Sequence, residues 1–257
     1  MKVVLFCGGF GMRLRDYSQQ VPKPLVEIGP RPILWHLMSY YAHFGHKDFI
    51  LCLGHGGNAI KNYFLKYDEC VSNDFVLKDG GRKIELLNRD IEDWRITFVD
   101  TGLGASIGER LRAVRKHLDG DDMFFANYAD GLSDIDLGEQ LEYFRQRGKV
   151  ACFLSVTAPH TFHIVQADPE HHVTRLEAVG RSVVRINGGF FIFRKAIFDY
   201  IKCGEDLVLE PFDRLIEARQ LLAYPFNGFW RNMDTFKDKQ ELEEMLIRGE
   251  TPWQRWR

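Results

Sequence analysis

The sequence lacks several features that would assign it to common classes of protein. No uninterrupted apolar run among its 257 residues reaches the length of a membrane-spanning helix. Its formal net charge of −2 gives no basic excess that would attract nucleic acid or an anionic membrane. The stretch Met1–Cys7 is too short for the apolar core of a secretory signal, so we expect a cytoplasmic protein.

The cysteines and histidines also lack the spacings of disulfide or zinc sites. The five cysteines are scattered, odd in number and without a C-x-x-C pair. We interpret them as reduced core residues of a cytosolic protein. The densest histidine group, His171-His172 beside Asp168 and Glu170, has no zinc spacing and is interpreted as a polar turn between strands.

What is present is enough apolar material for one large domain. Hydrophobic residues make up 45% of the chain, and no low-complexity linker or internal repeat divides it. Buried-strand patterns alternate with helical patterns, which predicts an α/β fold with a mixed, mostly parallel central sheet flanked by helices. We interpret residues 1–257 as a single domain with a polar, extended arm at about 68–95.

Three of the predicted strands end in residues suited to an anion or a cation. The runs are 3–7, 96–99 and 123–128, and the residues that follow or end them are Gly8, Asp100 and Asp130. Ligands of an open parallel sheet bind at the carboxyl ends of its strands. We therefore expect these three strand ends to converge on one site.

The residues after the first strand carry the most specific motif of the chain. Gly8, Gly9 and Gly11 let the backbone turn sharply and present N–H groups to an anion. Arg13 follows two residues later, and Lys23 lies between two prolines. The spacing is neither the G-x-G-x-x-G of dinucleotide-binding folds nor the G-x-x-x-x-G-K-[ST] of the P-loop. Two cations beside a glycine cradle suit a polyphosphate.

Polyphosphate chemistry usually requires Mg²⁺, which takes one or two carboxylates in addition to phosphate oxygens and water. Asp130 and Asp234 are the candidates, because each follows a strand-like stretch and precedes a turning or capping residue. Each also has a more common structural explanation when taken alone. Asp130 is the turn residue of an Asp-Gly pair, and Asp234 is an N-cap of the following helix.

The glycine motif and the P-K-P segment together resemble the signature of the sugar-nucleotide nucleotidyltransferases. The residues are Gly8 to Leu14, with Met12 in place of the usual hydroxyl residue, and Pro22 to Pro24. The family's two metal-binding aspartates match Asp130 and Asp234 in this chain. Further stretches are similar to the glucose-1-phosphate cytidylyltransferase branch, namely 24–29, 32–36, 99–102, 186–191, 233–235 and 252–253.

The resemblance implies a CTP-dependent enzyme that transfers CMP to an acceptor, releases pyrophosphate, uses Mg²⁺ and forms a homo-oligomer. It implies that Arg13 contacts the triphosphate and that Lys23 lies by the α-phosphate, so these two are the predicted catalytic residues. The other nucleotide-binding residues that it implies are Gly8, Gly9, Gly11, Asp100, Thr101 and Arg110.

The chain departs from this branch in the predicted acceptor-binding subregion at about 155–230. Where the family has E-K-P, this chain has Glu177 followed by Ala178, so the lysine is missing. Phe162-His163 stands where the family has an aromatic-glycine pair, and a histidine there fills space that a hexose would use. The predicted acceptor-binding residues are Glu177, Arg185, Asn187 and Gly188.

These departures lead us to predict an acceptor that is smaller or more acidic than glucose 1-phosphate, such as a phosphonate or another phosphorylated metabolite. Arginines near this subregion can hold such an anion in two-point fashion. The alternative is a glucose-1-phosphate cytidylyltransferase that makes CDP-glucose. An alternative of another class is a non-catalytic nucleotide-binding subunit.

Overall fold

A sheet of eight strands organises the computed structural model, which describes residues 1–9, 21–158, 163–179 and 184–256. The strands are β1 (Lys2–Phe6), β2 (Glu27–Ile28), β3 (Arg31–Pro32), β4 (Asp48–Leu53), β5 (Phe75–Lys78), β6 (Lys83–Leu86), β7 (Arg95–Asp100), β8 (Met123–Tyr128), β9 (Gly131–Ser133), β10 (Ala151–Thr157), β11 (His163–Ala167), β12 (Val173–Ala178), β13 (Arg185–Asn187), β14 (Phe191–Arg194), β15 (Leu221–Phe226) and β16 (Trp230–Asn232). The α-helices are α1 (Ile33–His43), α2 (Gly57–Leu65), α3 (Ile107–Ala113), α4 (Leu137–Arg147), α5 (Glu210–Glu217) and α6 (Phe236–Arg248).

The parallel half of the sheet is formed by β7, β4, β1 and β8, in that order. Strand β1 pairs with a strand on each side, and Val3, Val4 and Leu5 are fully buried. This apolar run therefore lies in the middle of the sheet. Helices α1 and α2 follow in the chain as crossovers, as the helical periodicity indicates.

The other half of the sheet introduces the only antiparallel pairings of the eight described strands. Strand β14 lies antiparallel to both β8 and β10, and β13 continues the pairing with β10. On its other side, β10 pairs in parallel with β15. The result is a mixed, mostly parallel sheet, which confirms the predicted fold class.

Alternation along the central strands sends side chains into two apolar layers, one on each face of the sheet. Val3 and Leu5 belong to the layer that includes Leu34 of α1 and Phe144 of α4. Val4 and Phe6 belong to the layer that includes Leu111 of α3. Burial on both faces explains why the strands are apolar throughout, without a polar residue at every second position.

The predicted arm is a hairpin outside this sheet. Strands β5 and β6 pair antiparallel, with Leu77 opposite Ile84. Their alternation gives the hairpin one apolar face, which consists of Phe75, Leu77, Ile84 and Leu86. Leu77 and Ile84 are 58% and 53% exposed, so this face is open to solvent in the single chain.

A buried arginine fastens the base of the arm to the body of the protein. Arg31 is 3% exposed and donates to the Ser72 hydroxyl at 2.8 Å and the Asp68 carbonyl at 2.7 Å. Its guanidinium also stacks over the Tyr67 ring, 4.1 Å from the ring centroid. A cavity of about 1340 Å³ lies beside this junction, between α1, the arm and the C-terminal segment.

Two further strand pairs lie outside the main sheet, namely the exposed hairpin of β11 and β12 and the short pair of β9 and β16. The pair of β9 and β16 is not predicted by the sequence analysis. The interpretation of His171-His172 as a turn between strands is confirmed, since this segment connects β11 to β12. No helix within the described ranges combines the length and apolar composition that crossing a bilayer requires.

The turn between β13 and β14 packs closely against β8. The Asn127 side-chain oxygen accepts hydrogen bonds from the backbone N–H groups of Tyr128 and Phe190, both at 2.9 Å. Gly189 adopts a φ of +73°, and a Cβ added to it would lie 2.4 Å from that same Asn127 oxygen. Glycine is thus required at position 189 both for its backbone conformation and for space.

We expect Gly189→Ala to destabilise the protein by about 2–4 kcal/mol. The new methyl group adds the cost of a left-handed backbone for alanine to a clash with the Asn127 side-chain oxygen, which already accepts two hydrogen bonds. Gly148→Ala is the matched control, since Gly148 has a φ of +61° but open space around it. This control is expected to lose only about 1 kcal/mol. Urea denaturation of both variants measures the difference, and equal losses would contradict the packing argument.

Candidate active site

The carboxyl ends of β1, β4, β7 and β8 lie along one edge of the sheet, as the parallel order requires. Two groups of polar contacts lie at this edge. One joins Lys23 to Asp130 and Asp234. The other surrounds the guanidinium of Arg110.

The ammonium of Lys23 bridges the two candidate metal ligands. Its Nζ donates to Asp130 Oδ2 and lies 2.5 Å from Asp234 Oδ1. The three side chains are 13%, 24% and 30% exposed, respectively, so the cluster is half-buried but reachable from solvent. The structure thus brings together three of the site residues predicted from sequence.

Strand pairing accounts for the approach of the two aspartates. Asn232 of β16 pairs with Gly131 of β9, and the Met233 N–H donates to the Asp130 carbonyl at 2.9 Å. Asp130 immediately precedes Gly131, and Asp234 immediately follows Met233. The short β9–β16 ladder therefore places both carboxylates at one point.

The start of α6 orients Asp234. Thr235 is the N-cap and forms a capping box with Asp238, whose carboxylate also accepts from the Asp234 N–H at 3.0 Å. The Asn232 side chain donates to Asp234 Oδ2 at 2.5 Å. Asp234 itself precedes the N-cap, so its carboxylate is available to Lys23 instead of to the helix.

Lys23 is presented by a stiff segment of backbone. It begins a 3₁₀ turn, Lys23–Leu25, with Pro22 before it and the buried Pro24 after it. Gly56, which precedes α2, packs against the Pro22 ring, because a Cβ added there would lie 2.5 Å from Pro22 Cβ. The prolines and the Gly56 contact thus restrict the backbone on both sides of Lys23.

The charge of Lys23 is stabilised by its partners. Burial by itself lowers the pKa of the Lys23 ammonium, but the charges of Asp130 and Asp234 and their hydrogen bonds more than offset this, and the pKa is raised. The ammonium therefore remains charged at neutral pH. It neutralises one of the two negative charges that the fold brings together.

The donor set fits Mg²⁺ and does not fit zinc. Within the described ranges, no group of three or more histidine, cysteine or acidic side chains is arranged to hold a metal. Mg²⁺ needs only one or two carboxylates from the protein and completes its shell with water and phosphate oxygens. Asp130 and Asp234, which already share one cation, are the residues that would hold it.

Arg110 ties together the loops that follow three parallel strands. It is 3% exposed and donates to the carbonyls of Gly8 at 3.0 Å and Leu53 at 3.1 Å. It also donates to the Thr101 hydroxyl at 2.7 Å and the Gly102 carbonyl at 3.0 Å. These hydrogen bonds hold together the chain segments that carry the predicted nucleotide-binding residues Gly8 and Thr101. Direct contact of Arg110 with a nucleotide stays a prediction.

The other predicted nucleotide-binding residues have different environments. Asp100 braces the turn after β7 by accepting a hydrogen bond from the Gly102 N–H at 3.0 Å, and its contact with a nucleotide stays a prediction. A Cβ added to Gly8 would lie 2.2 Å from the Arg110 guanidinium, so a side chain at position 8 would clash with it. Gly9 is exposed, and a Cβ there would have open space. Gly11 and Arg13 lie outside the described residues.

On the acceptor side, the predicted residues form two separate groups. Glu177 lies on the β11–β12 hairpin and makes an ion pair with Arg175 at 2.9 Å. Phe162 lies outside the described residues, and His163 begins β11.

Asn187 and Gly188 belong to the second group, in the turn after β13. The Asn187 side chain accepts from the Gly189 N–H at 2.9 Å, and the Gly188 carbonyl accepts from Trp230 Nε1 at 2.8 Å. Asn187 and Gly188 therefore help to hold this turn in place. Their contact with an acceptor stays a prediction.

The guanidinium of Arg185 is already engaged at the end of β10. It donates to the Ser155 hydroxyl and the Asn227 side-chain oxygen, both at 3.0 Å, and to the Phe226 carbonyl at 2.7 Å. Acceptor binding by Arg185, which stays a prediction, would require some of these bonds to open.

Sequence reasoning missed Tyr128, the last residue of β8. Burial and the nearby Asp206 and Asp130 raise the pKa of its hydroxyl, while a hydrogen bond with Asn187 acts in the opposite direction. Its phenol is thus neutral, near Asp130 and hydrogen-bonded to Asn187 of the glycine turn. The position of Tyr128 at a strand end, two residues before Asp130, was the available signal.

Comparison with known proteins adds to this geometry. The family model described as nucleotidyl transferase matches residues 2–246. The chain belongs to the nucleotidyl transferase family. It is 35% identical over 257 residues to the glucose-1-phosphate cytidylyltransferase of Salmonella typhi, with 100% of both chains covered. It is 33% identical over 258 residues to a Bacillus subtilis (strain 168) protein named probable glucose-1-phosphate cytidylyltransferase, again with 100% of both covered.

Solved structures support the fold of this nucleotidyltransferase. The crystal structure of HddC from Yersinia pseudotuberculosis superposes with a TM-score of 0.68 at 20% identity, covering 95% of this chain and 99% of that one. The predicted family and enzyme class are therefore confirmed. The predicted phosphonate acceptor is not supported, because the full-length relatives are named for glucose 1-phosphate.

We expect Arg110→Met to destabilise the nucleotidyltransferase by about 3 kcal/mol, because the buried Gly8 carbonyl loses its donor and the bonds to Leu53, Thr101 and Gly102 are lost as well. Arg112→Met is the control on the same helix, since Arg112 is exposed and makes one hydrogen bond, to the Ile201 carbonyl at 3.3 Å. This control is expected to change stability by less than about 1 kcal/mol. Equal unfolding midpoints in urea for the two variants would show that Arg110 does not hold the loops.

Proposed function

We propose that this nucleotidyltransferase uses CTP and a sugar 1-phosphate, with glucose 1-phosphate as the first candidate, to form a CDP-sugar and pyrophosphate. The observation that carries the proposal is the cluster of Lys23, Asp130 and Asp234 at the carboxyl edge of the sheet. The full-length similarity to glucose-1-phosphate cytidylyltransferases supports the choice of CTP and of the acceptor. This was the alternative in the sequence analysis.

The reaction joins two anions. An oxygen of the acceptor phosphate forms a bond to the α-phosphorus of CTP, and the bond from that phosphorus to the bridging oxygen of the β-phosphate breaks. The leaving group is pyrophosphate, and no redox change occurs. The site must therefore reduce charge repulsion and hold both partners in line.

The residues of this chain supply both requirements. Lys23 brings a fixed positive charge on a proline-stiffened segment, and Asp130 and Asp234 would hold Mg²⁺. When bound, Mg²⁺ neutralises phosphate charge and helps to orient the triphosphate. Arg110 links Gly8 after β1, Leu53 at the end of β4 and Gly102 after β7 through hydrogen bonds to their carbonyls.

We expect the purified protein to release pyrophosphate from CTP with glucose 1-phosphate and Mg²⁺, and to prefer this pair over UTP, GTP, dTTP, mannose 1-phosphate and 2-aminoethylphosphonate. Asp234→Asn should lower kcat/KM by about 10²-fold or more, because it removes a charge that would hold the metal. Asp93→Asn, an exposed aspartate of the arm, is the control and should retain activity.

Two results would contradict this proposal. One is turnover with a donor other than CTP and none with CTP. The other is full activity of Asp234→Asn, which would remove this carboxylate from the site.

We also propose that the arm joins copies of the chain into a homo-oligomer. The hairpin face of Phe75, Leu77, Ile84 and Leu86 is apolar, and two of its members are more than half exposed. A two-stranded hairpin is at best marginally stable in water without further packing. A second copy of the chain is the occupant that would cover this face, and Phe75 also borders the large cavity beside the arm.

We expect the double variant Leu77→Glu/Ile84→Glu to have a lower molar mass in light scattering than the native oligomer. Two unpaired negative charges on this face would be costly to bury in a contact between copies. Ile247→Glu is the control, since Ile247 is 84% exposed on α6. A native protein that is monomeric at micromolar concentration would contradict the proposal.

A further inference from the structure

In this chain the metal-site carboxylates already share a cation of the protein's own. The Lys23 ammonium contacts Asp130 and Asp234 simultaneously, with one of these contacts at 2.5 Å. Both carboxylate oxygens thus lie within hydrogen-bonding distance of a single nitrogen. The nitrogen occupies the space between them.

A divalent cation bridging the same two oxygens would need this space. Mg²⁺ holds its oxygen ligands at about 2.0–2.1 Å, which is closer than an ammonium holds its acceptors. The metal and the ammonium cannot both lie between the oxygens, and their charges repel each other. A metal held by these two oxygens together would therefore require the Lys23 side chain to leave.

Departure of the ammonium is unfavourable in the free protein. The Lys23 side chain is only 13% exposed and its backbone is fixed by the flanking prolines, so few positions in water are open to it. Its charge would lose two carboxylate partners while remaining near a divalent ion. A polyphosphate bound beside it would offer a new anionic partner and remove this cost.

We propose that Lys23 closes the metal site to divalent cations until the phosphates of a nucleotide draw its ammonium away. The metal and the nucleotide then bind cooperatively, and each raises the affinity of the other by the same factor. The nucleotide half of this inference rests on the proposed function. The competition between Lys23 and the metal does not.

Binding of Mn²⁺, used as the probe because it shares the preference of Mg²⁺ for oxygen ligands, tests this competition by electron paramagnetic resonance. Without nucleotide, Lys23→Met should bind Mn²⁺ about 10-fold or more tightly than the native protein, because the competing charge is gone. Lys23→Arg keeps the charge and should bind as weakly as the native protein. The control Lys47→Met removes an exposed lysine that pairs with Asp93, and should not change Mn²⁺ affinity.

The location of the gain is tested in the double variant Lys23→Met/Asp234→Asn, which should lose it. In the native protein, α,β-methylene-CTP should strengthen Mn²⁺ binding, and in Lys23→Met it should do so less. As a second readout, Mn²⁺ alone should raise the unfolding temperature of Lys23→Met more than that of the native protein. If Lys23→Met does not fold, Lys23→Gln is compared in the same way.

Equal Mn²⁺ affinities of the native protein and Lys23→Met without nucleotide would overturn the inference, whatever the activity with CTP. Retention of the gain in the double variant would also overturn it. If Lys23→Met shows the gain but the CTP analogue does not strengthen Mn²⁺ binding in the native protein, the competition at the metal site stands and the proposed donor is wrong.

Discussion

Two carboxylates of like charge meet in a half-buried pocket of this protein, and the ammonium of Lys23 is what allows them to stay there. Without a cation, the mutual repulsion and lost hydration of Asp130 and Asp234 would favour their separation. The three residues come from distant parts of the chain, since Lys23 is 107 residues from Asp130 and 211 from Asp234. The contact therefore joins the first loop, the central strand and the start of the last helix.

Around this contact, the protein uses a second buried cation for a different purpose. Among the residues that the structure describes, Arg110 hydrogen-bonds to no carboxylate, and it donates instead to carbonyl groups at the ends of β1 and β4 and in the turn after β7. A guanidinium has five N–H donors, so one buried arginine can bond to acceptors on several chain segments at once. Lys23, with one compact charge, remains able to exchange partners.

Sequence reasoning located most of the elements correctly where a local signal was strong. The strands are an example, since the apolar runs 3–7, 96–99 and 123–128 correspond to β1, β7 and β8. The N-cap considered for Asp234 was one residue early, because Thr235 caps that helix. Sequence reasoning missed the ladder of β9 and β16, whose strands have only three residues each and no usable periodicity. That ladder is nevertheless what brings the two aspartates together.

Arg110 and Arg185 show that the contacts of a long charged side chain are hard to predict from sequence. Arg110 and Arg185 were predicted to contact ligands, but a long side chain reaches many positions, and in the folded chain both guanidinium groups are occupied by protein acceptors. Their partners lie on strands that are remote in sequence. No pattern of neighbouring residues encodes such a contact.

The sequence by itself determined the parallel core, the glycine turns and the helix caps, because these depend on apolar periodicity, backbone freedom and hydrogen bonds between residues a few positions apart. Its resemblance to a family singled out Asp130 and Asp234 where local reasoning preferred a turn and a cap. Only the tertiary structure decided that both aspartates share the cation of Lys23 and that Arg110 supports the loops. The physical reason is that these charges are paired across strands, and their energies depend on burial and distance that exist only once the sheet has formed.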